Sequence, residues 1–229
     1  MAILQTYIMA VTKSKYRKTT ITGYVQIASV ISSLFEISWS LASYHRALRG
    51  SVPDKRNMTK LGTTVQFLWR FFVITSRILA IALFTSEFGY WLVPIAIGHW
   101  GVMTVWVMHQ GTRFCDTDRG VPRPCEEYLF NMVVGAIYLI CFLNVKDEPT
   151  RFKYLAYYII VFTENCVLIT LWFIRTSSDP FKSLLWFHTP AFVSVISAFC
   201  MGIVFMLVYY RFLHPNGRPL WVNRAARCC

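Results

Sequence analysis

Residues 3–48 run ILQTYIMAVTKSKYRKTTITGYVQIASVISSLFEISWSLASYHRAL, and residues 168–213 run LITLWFIRTSSDPFKSLLWFHTPAFVSVISAFCMGIVFMLVYYRFL. The two stretches align without a gap at an offset of 165 residues. Ser29-Val30-Ile31-Ser32 falls on Ser194-Val195-Ile196-Ser197, and Tyr44, Arg46 and Leu48 fall on Tyr209, Arg211 and Leu213. Each copy is an apolar stub, a polar loop and a long apolar segment closed by Tyr-x-Arg-x-Leu. Shared Ser, Tyr and Arg are not bulk lipid-facing residues, so common apolarity is a poor explanation of the match. Internal duplication is common in proteins that move material across bilayers. The second copy follows a long stretch of further segments, whereas the first has almost nothing before it. Residues 1–48 therefore read as the remnant of a first repeat. Residues 49–213 read as a second repeat with about five membrane segments, and 214–229 as a short basic tail.

Six apolar segments follow the stub, at about 24–46, 61–84, 88–110, 128–143, 154–174 and 186–213. All but 128–143 reach the ~20 residues that a helix needs to cross hydrocarbon. Nothing alternates as a barrel strand would, and only helices or closed barrels satisfy their backbone within lipid. The fold class is thus an all-α polytopic membrane protein built on two related repeats, the first incomplete. Segment 88–110 holds Pro94, Gly98 and Gly101 together with His99 and His109. It is expected to be a re-entrant or broken helix, against the alternative of a kinked span. Trp and Tyr side chains crowd the segment ends, as interfacial belts do.

Composition agrees. The chain is 55% hydrophobic and 17% aromatic, more than a soluble domain of 229 residues needs. A net charge of +12 would suggest nucleic acid in a soluble protein. Here 21 of the 23 Lys and Arg lie in loops or at segment ends, the pattern of cytoplasmic charge and headgroup contact. No nucleic-acid partner is expected. Met1–Val11 has no basic leader and is too short to span, so it is not a secretory signal. Loop 49–60 and the tail are both basic and should face the cytoplasm. Lys13, Lys15, Arg17 and Lys18 then fall on the other side, against the usual trend.

Four charges sit near mid-segment: Glu36, Arg70, Arg77 and Glu164. Each is costly in lipid, so each should have a partner or a function. Arg70 and Arg77 are two helical turns apart and share a face, expected to meet Glu36 and Glu164. Gln66, His99 and Asn165 are the polar neighbours. Such a set either solvates a lipid headgroup on its way between leaflets or locks helices together with ion pairs. Ser29, Ser32, Ser33, Ser40 and Ser43 line the segment around Glu36, where small side chains let helices approach.

Cys141, Cys166 and Cys200 lie in apolar segments as core residues. Cys115 and Cys125 share the loop 111–127 and can close a disulfide if it is extracellular. Cys228-Cys229 beside Arg224 and Arg227 either carry acyl chains or simply end the chain. Phosphate-binding loops, zinc-protease and nucleophile-elbow motifs are missing, so no enzyme, metal or cofactor is expected. The partners expected are membrane phospholipids and a further copy or an accessory membrane protein.

The stretches LQTYIMAVTKSK, SLFEISWSLASYHRALR, WRFFVITSRILAIALF, GHWGVMTVWVMH, FNMVVGAIYLICFLNVK and GIVFMLVYYRFLHPNG together resemble the XK-related family, nearest its longer, neuronal-type members. The resemblance implies a multi-pass plasma-membrane protein of two helical repeats. For several members it implies phospholipid scrambling switched on by caspase cleavage in apoptosis. The founding member instead pairs covalently with a surface peptidase, so a non-transporting partner subunit is the alternative. The family's chain carries further helices, with acidic residues, ahead of LQTYI, so an incomplete form is expected. No Asp-x-x-Asp caspase motif is present.

Overall fold

The computed structural model describes residues 20–50, 58–111, 115, 124–143, 151–178 and 187–213. Among these, every regular element is helical: α1 (Thr20–Gly50), α2 (Lys60–Phe88), a 3-10 turn (Gly89–Trp91), α3 (Leu92–Gln110), α4 (Pro124–Ile137), α5 (Arg151–Ser177) and α6 (His188–Val208), which runs into a π-helical turn (Tyr209–Leu213). Each of the six expected segments contains a helix, although in 128–143 the helix ends at Ile137. Four helical stretches are long and apolar enough to cross a membrane: Tyr24–Gly50, Lys60–Gln110, Phe152–Ser177 and His188–Leu213. The chain is therefore a multi-pass membrane protein.

The interruption expected within 88–110 lies at its start. Gly89 takes φ 47°, a left-handed conformation that only glycine adopts without cost, and the chain turns there between α2 and α3. Pro94 falls in the first turn of α3, where a missing N–H breaks no intrahelical bond. Gly98 and Gly101 leave α3 unbroken. The helix stops at Gly111, also left-handed (φ 58°), whose N–H donates to the Met108 carbonyl at 3.1 Å.

The helices form two compact units, divided at Ser76 in α2 and at Val193 in α6. The first holds α1, the start of α2 and most of α6. Leu34, Ser38 and Ala42 are buried at four-residue spacing, one narrow stripe of α1. Beside that stripe Phe35 packs on Phe67 and Phe71, with ring centroids 5.3 and 4.9 Å apart. On α6, Gly202 lets α2 come very close. A methyl there would lie 3.1 Å from the Val73 nitrogen and 3.3 Å from the Trp69 carbonyl oxygen. The Ser76 hydroxyl donates to the Val195 carbonyl at 2.7 Å, and Phe72 stacks on Phe205. The repeat-related α1 and α6 thus both pack on the first part of α2.

In the second unit, α3 and α4 touch through Gly135 and Thr104 at backbone distance. Tyr138, Phe142, Tyr154, Tyr157 and Trp106 form a continuous aromatic cluster beside them. Ile81, Phe84 and Leu168 form a core cluster, with Phe88 and Leu92 packed on it. His188, at the head of α6, meets the Thr176 hydroxyl at 2.8 Å and stacks on Phe173.

Candidate functional site: a charged cluster at the end of a short helix

Helix α4 has 14 residues, too short to span. It opens on Pro124, with Glu126 and Glu127 in its first turn, as the positive end of a helix favours. It closes in a turn over 138–140, where the Ile140 N–H donates to the Ile137 carbonyl at 3.0 Å. The last carbonyls of a helix have no acceptor role within it and need donors from elsewhere. Three side chains on other helices supply them. The Arg77 Nε–H donates to the Leu139 carbonyl at 3.1 Å. The Tyr157 hydroxyl donates to the Tyr138 carbonyl at 2.9 Å, and the His99 Nε2 faces the same oxygen at 3.2 Å. Cations at the negative end of a helix are favourable.

Arg77 is consumed on all sides. Nη1 donates to Asn165 Oδ1 at 2.9 Å, and Nη2 to Glu164 Oε2 at 2.7 Å. Arg77 comes from α2, and both partners come from neighbouring positions of α5. The other carboxylate oxygen, Glu164 Oε1, lies 2.7 Å from His99 Nδ1 on α3. Both His99 nitrogens therefore face oxygens, one of Glu164 and one of the Tyr138 carbonyl. The side chains of Arg77 and His99 are 3% and 1% exposed, whereas that of Glu164 is 27% exposed. The cluster is sealed around Arg77 and His99 and open at the Glu164 carboxylate.

The pairing expected of Arg77 with Glu164 is present, and Asn165 and His99 join it. Arg70 does not share that site. It lies in the other unit, buried, with its guanidinium carbon 4.8 Å from the centre of the Trp69 ring. Seven-residue spacing puts two side chains on one face, but α2 is buried around most of its circumference, so one face passes through two environments. Gln66, also expected beside Arg70, is buried in that same unit. Glu36 is exposed on α1, and no ion pair reaches it among the described residues.

Cys115 and Cys125, which can close a disulfide if their loop is extracellular, are not bonded to each other among the described residues. The Cys115 N–H donates to Glu127 Oε2 at 3.0 Å, and the Cys125 side chain is exposed at the start of α4. Lys13, Lys15, Arg17, Lys18, Asn57 and Cys228-Cys229 lie outside the described residues.

Sequence reasoning missed Tyr138, Tyr157 and the carbonyl end of α4. The available signal was the marginal length of 128–143, since a helix that stops inside the hydrocarbon must find donors for its last carbonyls.

A family model described as XK-related protein matches residues 1–215. The chain belongs to the XK-related family.

Proposed function

We propose that this chain is a phospholipid scramblase, or the helical part of one, that lets lipids exchange between plasma-membrane leaflets without an energy source. The observation that carries the reading is the half-open cluster of Arg77, Glu164 and His99. Moving a headgroup through hydrocarbon is costly because charge and dipole lose their water. Fixed charges that reach the helix surface lower that barrier while the acyl chains stay in lipid. The step makes and breaks no covalent bond, so the work is solvation alone. Membership of the XK-related family supports the same reading. Within the family the quoted stretches favour the longer, neuronal-type members, and exposure of phosphatidylserine in apoptosis is the corresponding role.

The test is a vesicle assay with a trace of acyl-labelled fluorescent phosphatidylcholine and an impermeant quencher. Vesicles holding the chain should lose inner-leaflet fluorescence, and those with Glu164→Gln should lose it more slowly. Equal protection in protein-free and protein-bearing vesicles would exclude scrambling by this chain. The second reading is a non-transporting partner subunit. It is favoured by one observation, the exposed Glu36 on an α1 helix that buries only a narrow stripe.

A further inference from the structure

Helix α5 carries its own depth scale. Glu164 is its central residue, and Lys153 and Arg175 stand about 16 Å to either side along the helix. Glu164 is the one charge between those two cations. A hydrocarbon core about 30 Å thick fits between them and has Glu164 at its middle. The contacts of Glu164 with Arg77 and His99, both 2.7 Å, carry that level across to α2 and α3. Beyond Arg77, α2 continues for about 16 Å to Phe88, and α3 covers about 10 Å from Leu92 to His99. Both stretches lie on the Arg175 side, because Ile81 and Phe84 pack on Leu168, which follows Glu164 on α5. The turn Gly89–Trp91 thus stands about 10–16 Å from mid-depth, near the edge of the hydrocarbon at about 15 Å. Arg175, exposed on α5, is at the same level.

What the turn presents there is aromatic. Tyr90 is 86% exposed and Trp91 68%. Residues 88–108 contain no Asp, Glu, Lys or Arg, so no charge draws the turn out into water. Tyr and Trp join an apolar ring to a polar tip, which suits them to the layer where acyl chains give way to headgroups. We propose that the α2–α3 turn is a lipid contact. Tyr90 and Trp91 lodge among the ester carbonyls and headgroups of the leaflet that Arg175 reaches, and so hold the Arg77–Glu164–His99 cluster at mid-depth. In water the turn would expose two large rings, and deeper in hydrocarbon the Tyr90 hydroxyl and the Trp91 indole N–H would find no partner. This placement holds whether or not the chain moves lipid.

The test uses the full chain in phosphatidylcholine vesicles. Lipids brominated on the acyl chain near the carbonyls or near the chain ends are compared as quenchers of tryptophan emission, with iodide as the quencher in water. The protein has 8 Trp, so the Trp91 contribution is taken as the difference between the wild type and Trp91→Phe. It should be quenched about twofold more by the shallow bromines than by the deep ones, and little by iodide. Tyr90→Trp adds an emitter one residue away whose added emission should show the same preference, and it reports on the turn even where Trp91→Phe fails to fold. Equal or stronger quenching by the deep bromines would put the turn within the hydrocarbon. Quenching by iodide and by neither lipid would put it in water, and quenching by none of the three would mean that protein covers it. Each of these results overturns the proposal.

Discussion

Removing the carboxylate of Glu164 should harm the protein more than removing the guanidinium of Arg77, and removing both should harm it less than the two effects added. Glu164→Met removes the acceptor of Arg77 Nη2 and the oxygen facing His99 Nδ1, both 2.7 Å away. Arg77 would stay buried, with only the neutral acceptors Leu139 O and Asn165 Oδ1. That is an uncompensated charge in the interior, which costs about 3–5 kcal/mol. Arg77→Met deletes three hydrogen bonds but leaves Glu164 held by His99 and partly exposed. Its cost should sit near the lower end of the same range, about 3 kcal/mol. In the double variant neither charge of the Arg77–Glu164 pair remains to be left unpaired. The coupling energy should therefore be about 1.5–3 kcal/mol, at the upper end for residues in one network. The assay is reversible unfolding in mixed micelles, titrated with SDS and followed by tryptophan fluorescence. Additivity within about 0.5 kcal/mol would refute the pairing. Arg77→Met proving the worse single change would refute the argument from unequal exposure.

Three further outcomes follow from the same geometry. Gly135→Ala places a methyl against Thr104 Oγ1 and 3.0 Å from the Thr104 Cα and backbone nitrogen. Backbone cannot give way as a side chain does, so α3 and α4 must part, at a cost of about 1–3 kcal/mol in thermal or SDS unfolding. At Gly89 a methyl meets nothing within 4 Å, so Gly89→Ala isolates the left-handed backbone. It should cost about 1–2 kcal/mol, and a neutral result would show that the turn between α2 and α3 relaxes freely. Cys115 and Cys125 should both react with a maleimide without prior reduction, the exposed Cys125 faster; labelling that requires reduction would restore the disulfide.

The helices were legible because the bilayer leaves so few choices. A long apolar run must satisfy its backbone internally, and that alone produces α1, α2, α5 and α6. Arg77 and Glu164 were legible for a related reason: a mid-segment charge advertises itself. Which charge meets which was less so. Helical spacing put Arg70 beside Arg77, yet spacing describes one helix and not its neighbours. Arg70 lies over the Trp69 ring in the first unit, and α5 brings Glu164 with Asn165 to Arg77. Glu36 looked equivalent to Glu164 in sequence, with similar apolar flanks, but only a neighbour's donor distinguishes a paired carboxylate from an exposed one. Tyr138 and Tyr157 were invisible as site residues because aromatic side chains at segment ends are usually interfacial. Their role comes from the stop of α4 within the unit, a backbone event with no side-chain signature.

Unequal exposure also separates a lock from a path. A pair that serves only to hold helices gains most when both heads are sealed, because water and headgroups then cannot compete for it. Here Arg77 is sealed at 3% exposure and Glu164 is left open at 27%. The sealed arginine spends its donors on Leu139, Asn165 and Glu164, so it holds the carboxylate in place rather than meeting a passing molecule itself. What reaches the surface is an acceptor whose charge is partly balanced from behind. Under the scrambling proposed above, a fully neutralised site would solvate a headgroup poorly and a bare carboxylate would trap its ammonium group, whereas partial balance would permit arrival and departure. The double variant Arg77→Met with Glu164→Met turns this into a decision. Its stability should recover relative to Glu164→Met alone, since no buried ion is left unpaired. If vesicle scrambling recovers alongside, the cluster is a lock. If stability recovers while scrambling stays lost, the open carboxylate is part of the lipid's route.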